Sequence, residues 1–189
     1  MDKDRRTIFK RESPKKEITI LACDPSFTAW GWVVINLKGK IIDAGCIKTV
    51  PSDKKLRIRK GDDKCRRISE ISQKLLSTIE KYNVRFILSE QPHGSQNANA
   101  AFMIGICLGI VQTLADSLHI GIEWYSEEDC KRCLLGKRSV TKDETIQAIK
   151  EHYPDVVFTG TKYVDEAVAD AMAVFHCGVE NSNVLRLLS

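Results

Sequence analysis

Two hydrophobic periods alternate along this chain, and the changes between them mark out its elements. Ile18 to Cys23 is apolar except for Thr19, the pattern of a strand buried on both faces. It ends on an acid, Asp24, and Pro25 and Ser26 punctuate the turn after it. Trp30 to Ile35, rich in Trp, Val and Ile, reads as a second strand. After the Leu37-Lys38-Gly39 turn, Ile41 to Ile47 is a third, so the first three form an antiparallel meander. From Asp63 to Tyr82 the residues Ile68, Ile71, Leu75, Leu76 and Ile79 recur at helical spacing. Val84 to Glu90 is a fourth strand, again closing on an acid, and Gln91 to Asn99 is a polar loop. Ala100 to Leu118 predicts a helix that is apolar nearly all round, and Ile120 to Tyr125 a short fifth strand. Ser126 with three acids after it opens a helix that stops at Gly136, and Thr141-Lys142-Asp143-Glu144 is a capping box for another reaching His152. A last helix covers Val164 to Val179.

This order predicts an α/β domain over residues 18–180, with a flexible arm at 1–17 and a tail at 181–189. Its sheet would be five-stranded and mixed, the meander plus two parallel strands, flanked by helices. A length of 189 residues is enough for one such core. No apolar run approaches a bilayer span, and the acids at 2, 4, 12 and 17 argue against a transit peptide. The seven cysteines are scattered, which suits reduced thiols in a cytoplasmic protein. Cys130-Lys131-Arg132-Cys133 has the spacing of half a zinc site, and only an accident of folding would let His176 and Cys177 supply the rest.

The net charge of +4 permits a nucleic-acid partner without requiring one. Positive charge concentrates between Pro51 and Arg67, including Lys54, Lys55, Arg57 and Arg59. That run reads equally as a solvated face or as a phosphate-contacting segment. Gly105 and Gly109, four apart on the apolar helix, would let a second subunit's backbone come close.

The acids carry the candidate chemistry. If the first and fourth strands are parallel neighbours, Asp24 and Glu90 emerge at one sheet edge, where α/β folds place ligands. On the last helix Glu166 and Asp170, four apart, share a face, whereas Asp165 does not point with Asp170. Asp165 and Glu166 are also explained as acids at a helix N-terminus, but Asp170 lies among alanines in the helix interior. Hard oxygen ligands without His or Cys favour Mg²⁺, and Mn²⁺ can replace it. Three or four converging carboxylates can hold two such ions, the arrangement used to cleave phosphodiesters.

The whole order is similar to the RNase H-like nuclease superfamily, and in detail resembles its RuvC Holliday-junction resolvases. The resemblance rests on Cys23-Asp24-Pro25-Ser26, on Asp43 to Thr49, on Glu90-Gln91 and Asn97-Ala98, and on Gly105 to Gly109. Lys131, Gly136, Lys142 and Ala169-Asp170-Ala171 extend it, collinear from Ile18 to Gly178. It implies a homodimer, joined through the 100–118 helix, that cuts four-way DNA junctions with two Mg²⁺ ions per site and no small-molecule cofactor or membrane. Asp24, Glu90 and Asp170 would be metal ligands. The family's fourth ligand falls on Ala167, so Glu166 is the expected substitute and Asp165 the alternative. Lys131 and Lys142 match basic residues that the family uses near the scissile phosphate, and His93 falls where an aromatic wedges between bases. Lys137 and Arg138, with the 54–59 basic residues, would bind the DNA backbone. Two other readings stay open: a broader debranching nuclease for three-way junctions and flaps, or an inactive junction-binding protein. An ATP-binding domain of the sugar-kinase type shares the opening hairpin but needs a second glycine-rich phosphate loop, which the sequence lacks.

Overall fold

The computed structural model describes residues 17–188; the expected arm, apart from Glu17, lies outside the described residues. β1 (Thr19–Asp24), β2 (Ala29–Asn36) and β3 (Ile41–Lys48) form the meander, and β4 (Val84–Gln91) and β5 (Gly121–Ser126) complete the sheet. The spatial order is β3-β2-β1-β4-β5, antiparallel among the first three and parallel from β1 through β4 to β5. Central β1 is apolar on both sides because it is covered on both. Ile20 and Ala22 join one core, Leu21 and Cys23 the other.

One face carries α1 (Lys60–Tyr82) and α2 (Ala98–Leu118), which insert Ile71, Leu75, Ile79, Cys107, Val111 and Ala115 against Leu21, Val34 and Ile87. The other carries α3 (Glu127–Leu135), α4 (Lys142–His152) and α5 (Lys162–Asn181), of which α5 lies across the sheet. Small residues let α5 settle there: Ala167, Ala169, Ala171, Ala173 and Gly178 are all buried. Side-chain caps fix the starts of α2, α3 and α4, with Asn97 accepting from Ala100, Ser126 from Asp129, and Thr141 exchanging bonds with Glu144 in the expected capping box.

Several boundaries differ from the sequence reading. α1 begins three residues earlier than Asp63, so Lys60 is helical, and α2 begins at Ala98. Residues 183–188, assigned to a tail, form a short helix, α6 (Asn183–Leu188), that returns Leu185 to the α5 side of the core. α2 also corrects the expectation about bilayer spans. By length and composition it could cross a membrane, with a window of mean hydropathy 1.7 of which 28% is buried in this fold. Its Asn, Gln, Thr and Gly residues hide it from a search for an unbroken apolar run. Met103, Cys107, Ile110, Val111 and Ala115 face the domain, while Phe102, Gly105, Gly109 and Thr113 are exposed.

Candidate active site

Three parallel strands deliver acids to one sheet edge. Cys23 on β1 lies beside Ser89 on β4, so the acids directly after them, Asp24 and Glu90, sit at equivalent strand ends. Glu90 in turn lies beside Tyr125 on β5, and Glu127 comes two residues later as the first residue of α3. The two-residue alternation puts Asp24 on the face of Ala22 and Glu90 on the face of Leu88, both beneath α5. α5 approaches so closely because β2 has Gly31 opposite Asp24. A Cβ at Gly31 would stand 1.9 Å from the Ala167 carbonyl oxygen. Three residues further along α5, Asp170 closes the ring. Asp24, Glu90, Glu127, Lys131, Lys142 and Asp170 line a cavity of about 40 Å³. That is room for small ions or water molecules.

The electrostatics are those of an acid cluster short of positive charge. Burial, then the charges of Asp170 and Glu127, push the Asp24 carboxyl up to about 7 despite Lys142. Burial together with Asp24, Asp170 and Glu127 raises Glu90 to about 8. Neither side chain is bonded to or ion-paired with another described residue. Burial also raises Asp170, although the Lys142 ammonium is hydrogen-bonded to it. Burial works against that ammonium, but Asp170, Asp24 and Glu90 together outweigh it and raise the Lys142 pKa. Glu127 differs, because a hydrogen bond from Lys131 holds its carboxyl below the usual range.

Among the described residues no three His, Cys, Asp or Glu side chains stand close enough, as placed, to hold a metal ion. The chemistry of the donors nonetheless fits one. Two half-buried carboxylates lack an ion-pair partner among the described residues, a third is neutralised by a single lysine, and the donors are hard oxygens that suit Mg²⁺ or Mn²⁺. Lys142 stands where a cation belongs.

Of the four expected acids, Asp24, Glu90 and Asp170 meet at the cavity and Glu166 does not line it. Glu166 is half-buried and pairs with Lys162 at 3.8 Å. Although it is one turn from Asp170, the position seated on Gly31, the strand partner of Asp24, is Ala167, which has no ligand atom in its side chain. Asp165 is excluded by its own bonds. It accepts from the Thr159 amide (2.8 Å) and hydroxyl (3.0 Å) and from the Gly160 amide (2.9 Å), pinning the loop before α5.

Sequence reasoning missed Glu127, reading Glu127, Glu128 and Asp129 as dipole-favoured helix acids. The available signal was topological: β5 is a third parallel strand, so the first residues beyond its end emerge beside Glu90.

Among the expected DNA contacts, Lys131 and Lys142 line the acidic cavity. His93, Arg138 and Lys131 surround an open hollow next to it, with Arg138 paired to Glu128 at 2.5 Å. Lys137 pairs with Glu144 at 3.5 Å. Lys54 and Lys55 lie on an exposed 3-10 turn, Arg57 caps its end, and Arg59 pairs with Asp62 at 2.7 Å. Because β3 runs parallel to β1 across the meander, this turn leaves the sheet on the edge where Asp24 lies. Arg67, counted within the basic surface run, is instead buried. It stacks on Phe27 and donates to the Thr49 hydroxyl (2.9 Å) and the Phe27 carbonyl (3.2 Å). It therefore holds the β1–β2 turn.

Known proteins share this architecture. A bacterial relative from Orientia tsutsugamushi (strain Ikeda), "Crossover junction endodeoxyribonuclease RuvC", is 25% identical over 168 residues, covering 87% of this chain and 97% of its own. The protein of the same description from Parvibaculum lavamentivorans is 22% identical over 171 residues, covering 90% and 94%. Among solved structures, Thermus thermophilus RuvC in complex with Holliday junction substrate superposes with a TM-score of 0.64 at 19% identity, covering 82% of this chain and 91% of that one. The yeast mitochondrial Holliday junction resolvase Ydc2 gives 0.51 at 10% identity, covering 90% and 84%. The profile of the family described as "Crossover junction endodeoxyribonuclease RuvC" matches residues 20–177, a span that runs from β1 through Asp24, Glu90 and Asp170 to the far half of α5. That match spans most of the 189 residues, and this chain belongs to the RuvC family.

Proposed function

We propose that this chain is a divalent-metal-dependent endonuclease that resolves four-way DNA junctions, acting as a homodimer that nicks two opposed strands. The observation that carries this is the half-buried cluster of Asp24, Glu90 and Asp170 on one sheet edge, where among the described residues only Lys131 and Lys142 bring positive charge to the cavity. Asp24, Glu90 and Asp170 would hold Mg²⁺, with Glu127 rather than Glu166 as the fourth acid facing the cavity. A pair of such ions held there would supply an activated water as nucleophile and charge stabilisation for the leaving oxygen of a phosphodiester.

The chain's own groups prepare that reaction. Asp24 is central, since its carboxyl feels Asp170 and Glu127 and in turn raises Glu90. Lys142 neutralises Asp170 in the cation-free chain; released from it, the ammonium is placed to meet a phosphate oxygen at the cavity mouth. Lys131, His93 and Arg138 border the adjoining hollow and would guide the strand into it. The 54–59 turn extends the positive surface along the same edge and contacts phosphates without reading sequence. The exposed side of α2, with Phe102, Gly105, Gly109 and Thr113, would meet the same face of a second copy about a two-fold axis, giving each junction two active sites. The relatives' activity on DNA supports placing the protein in the cytoplasm.

Replacing Asp24 with Asn tests the reading. The variant is expected to bind a labelled four-way junction like the parent while losing Mg²⁺-dependent nicking by at least ~10³-fold, on the scale of removing a central catalytic group. Equal cleavage of three-way junctions and flaps by the parent would favour the broader debranching enzyme. Binding without nicking in the parent would identify a junction-binding protein.

A further inference from the structure

The CxxC of α3 finds a partner that the spacing alone could not guarantee. Cys130 and Cys133, three apart, face α5, and there they meet Cys177. The Cys133 and Cys177 sulfurs are 3.2 Å apart, in direct contact across 44 positions of sequence. Asn181, one turn beyond Cys177, donates its side-chain amide to both sulfurs, at 3.3 Å and 3.6 Å, and to the Cys177 carbonyl at 2.9 Å. Hydrogen bonds from Cys130, Cys133 and Asn181 draw the Cys177 thiol down to about 7 against its burial. All three cysteines are free thiols. Cys177 is wholly buried and Cys133 half-exposed, so a reagent from solution reaches Cys133 first.

We propose that Cys133 and Cys177 are a dithiol–disulfide site, oxidised by small disulfides of the glutathione class, whose closure fastens α3 to α5 behind the acidic cavity. Burial and the hydrogen bond to Cys177 push the Cys133 thiol up to about 12, so the Cys133 sulfur attacks one sulfur of the small disulfide as its proton passes to the Cys177 sulfur it touches. The S–S bond breaks, and the released thiolate then takes up that proton and leaves Cys177 as thiolate. The Cys177 sulfur then attacks the mixed disulfide at Cys133 and releases the second. The chain gives up two protons and two electrons, and the small disulfide becomes two thiols. The bond joins the helix that carries Glu127 and Lys131 to the helix that carries Asp170. It closes a long loop in the unfolded chain, so it raises the thermal midpoint. The exchange is independent of nuclease activity.

The test uses the full chain with its exposed Cys65 replaced, Cys65→Ser, to suppress cross-linking between molecules. The native protein is incubated with oxidised glutathione, free thiols are alkylated, and the peptides are mapped by mass. The expected result is one linked peptide pair joining positions 133 and 177, the loss of two free thiols per chain, and a higher thermal midpoint that dithiothreitol reverses. Cys133→Ser should lose both the link and the midpoint shift. A glutathione adduct that persists at Cys133, a bond between Cys130 and Cys133, or an unreacted chain would each overturn the proposal. The peptide map of the parent decides this even where a cysteine variant fails to fold.

Discussion

Asp24 and Glu90 make the cation-free protein respond to pH in the opposite sense from a chain stabilised by ion-paired carboxylates. Their pKa values in the fold, about 7 and about 8, lie above those of exposed carboxyls because burial and mutual repulsion disfavour the charges. Between the unfolded values and these, the folded state binds more protons than the unfolded one, so stability falls as pH rises. Chemical denaturation without divalent ions should therefore give an unfolding free energy that declines from about pH 4 to about pH 8, and Mg²⁺ should restore most of the loss at the upper end. A flat profile would show that the two acids are not held in this environment. Glu127 and Glu166 offer a second comparison at this scale, since one lines the cavity and the other lies outside it. Glu127→Gln is expected to raise the Mg²⁺ concentration needed for half-maximal nicking by about tenfold or more, the usual range for groups supporting a metal site. Glu166→Gln should stay within about twofold of the parent by the same reasoning.

The elements explain how those acids meet. α5 can lie on the sheet only where β2 has no side chain, and Gly31 supplies that gap opposite Asp24. Gly31→Ala should cost about 1–3 kcal/mol, the range for overpacking a close contact, and more if the backbone cannot yield. Urea unfolding measures it, and a loss below a few tenths of a kcal/mol would show that α5 is free to shift. Much of this was legible in the sequence. Apolar runs ending in Asp24 and Glu90 announce two buried parallel strands, and an Asp among alanines announces a helix with an acid facing inward. Other features were ambiguous for physical reasons. Ser126-Glu127-Glu128-Asp129 satisfies a helix N-terminus so well that nothing local marks Glu127 as different. Helical spacing groups Glu166 with Asp170 but cannot say which residue meets the sheet; the contact at Gly31 of β2 decides for Ala167. Arg67 looks like one more cation of a basic run until Phe27 and Thr49 are folded onto it. The short α6 has too few residues for a period to show.

At the scale of the molecule, α2 leaves an apolar surface uncovered. α2 buries one side in its own core and exposes Phe102 at 58%, with Gly105 and Gly109 open to solvent beside it. A second copy there would cover the exposed surface and supply the second active site that the proposed paired nicking needs. Sedimentation velocity should find a dimer that Gly109→Glu converts to monomer; a parent that is monomeric at micromolar concentration would remove the basis for paired cuts. The proposed function rests on carboxylates gathered where divalent cations would do the chemistry. The most direct measurement of that is the time course of a strand-labelled four-way junction with the purified parent protein, with Mg²⁺ and with chelator. The prediction is two symmetric nicks on opposed strands that appear with Mg²⁺ and vanish with chelator. Nicking at an undiminished rate in the presence of chelator, or an intact junction under saturating protein and Mg²⁺, would contradict it.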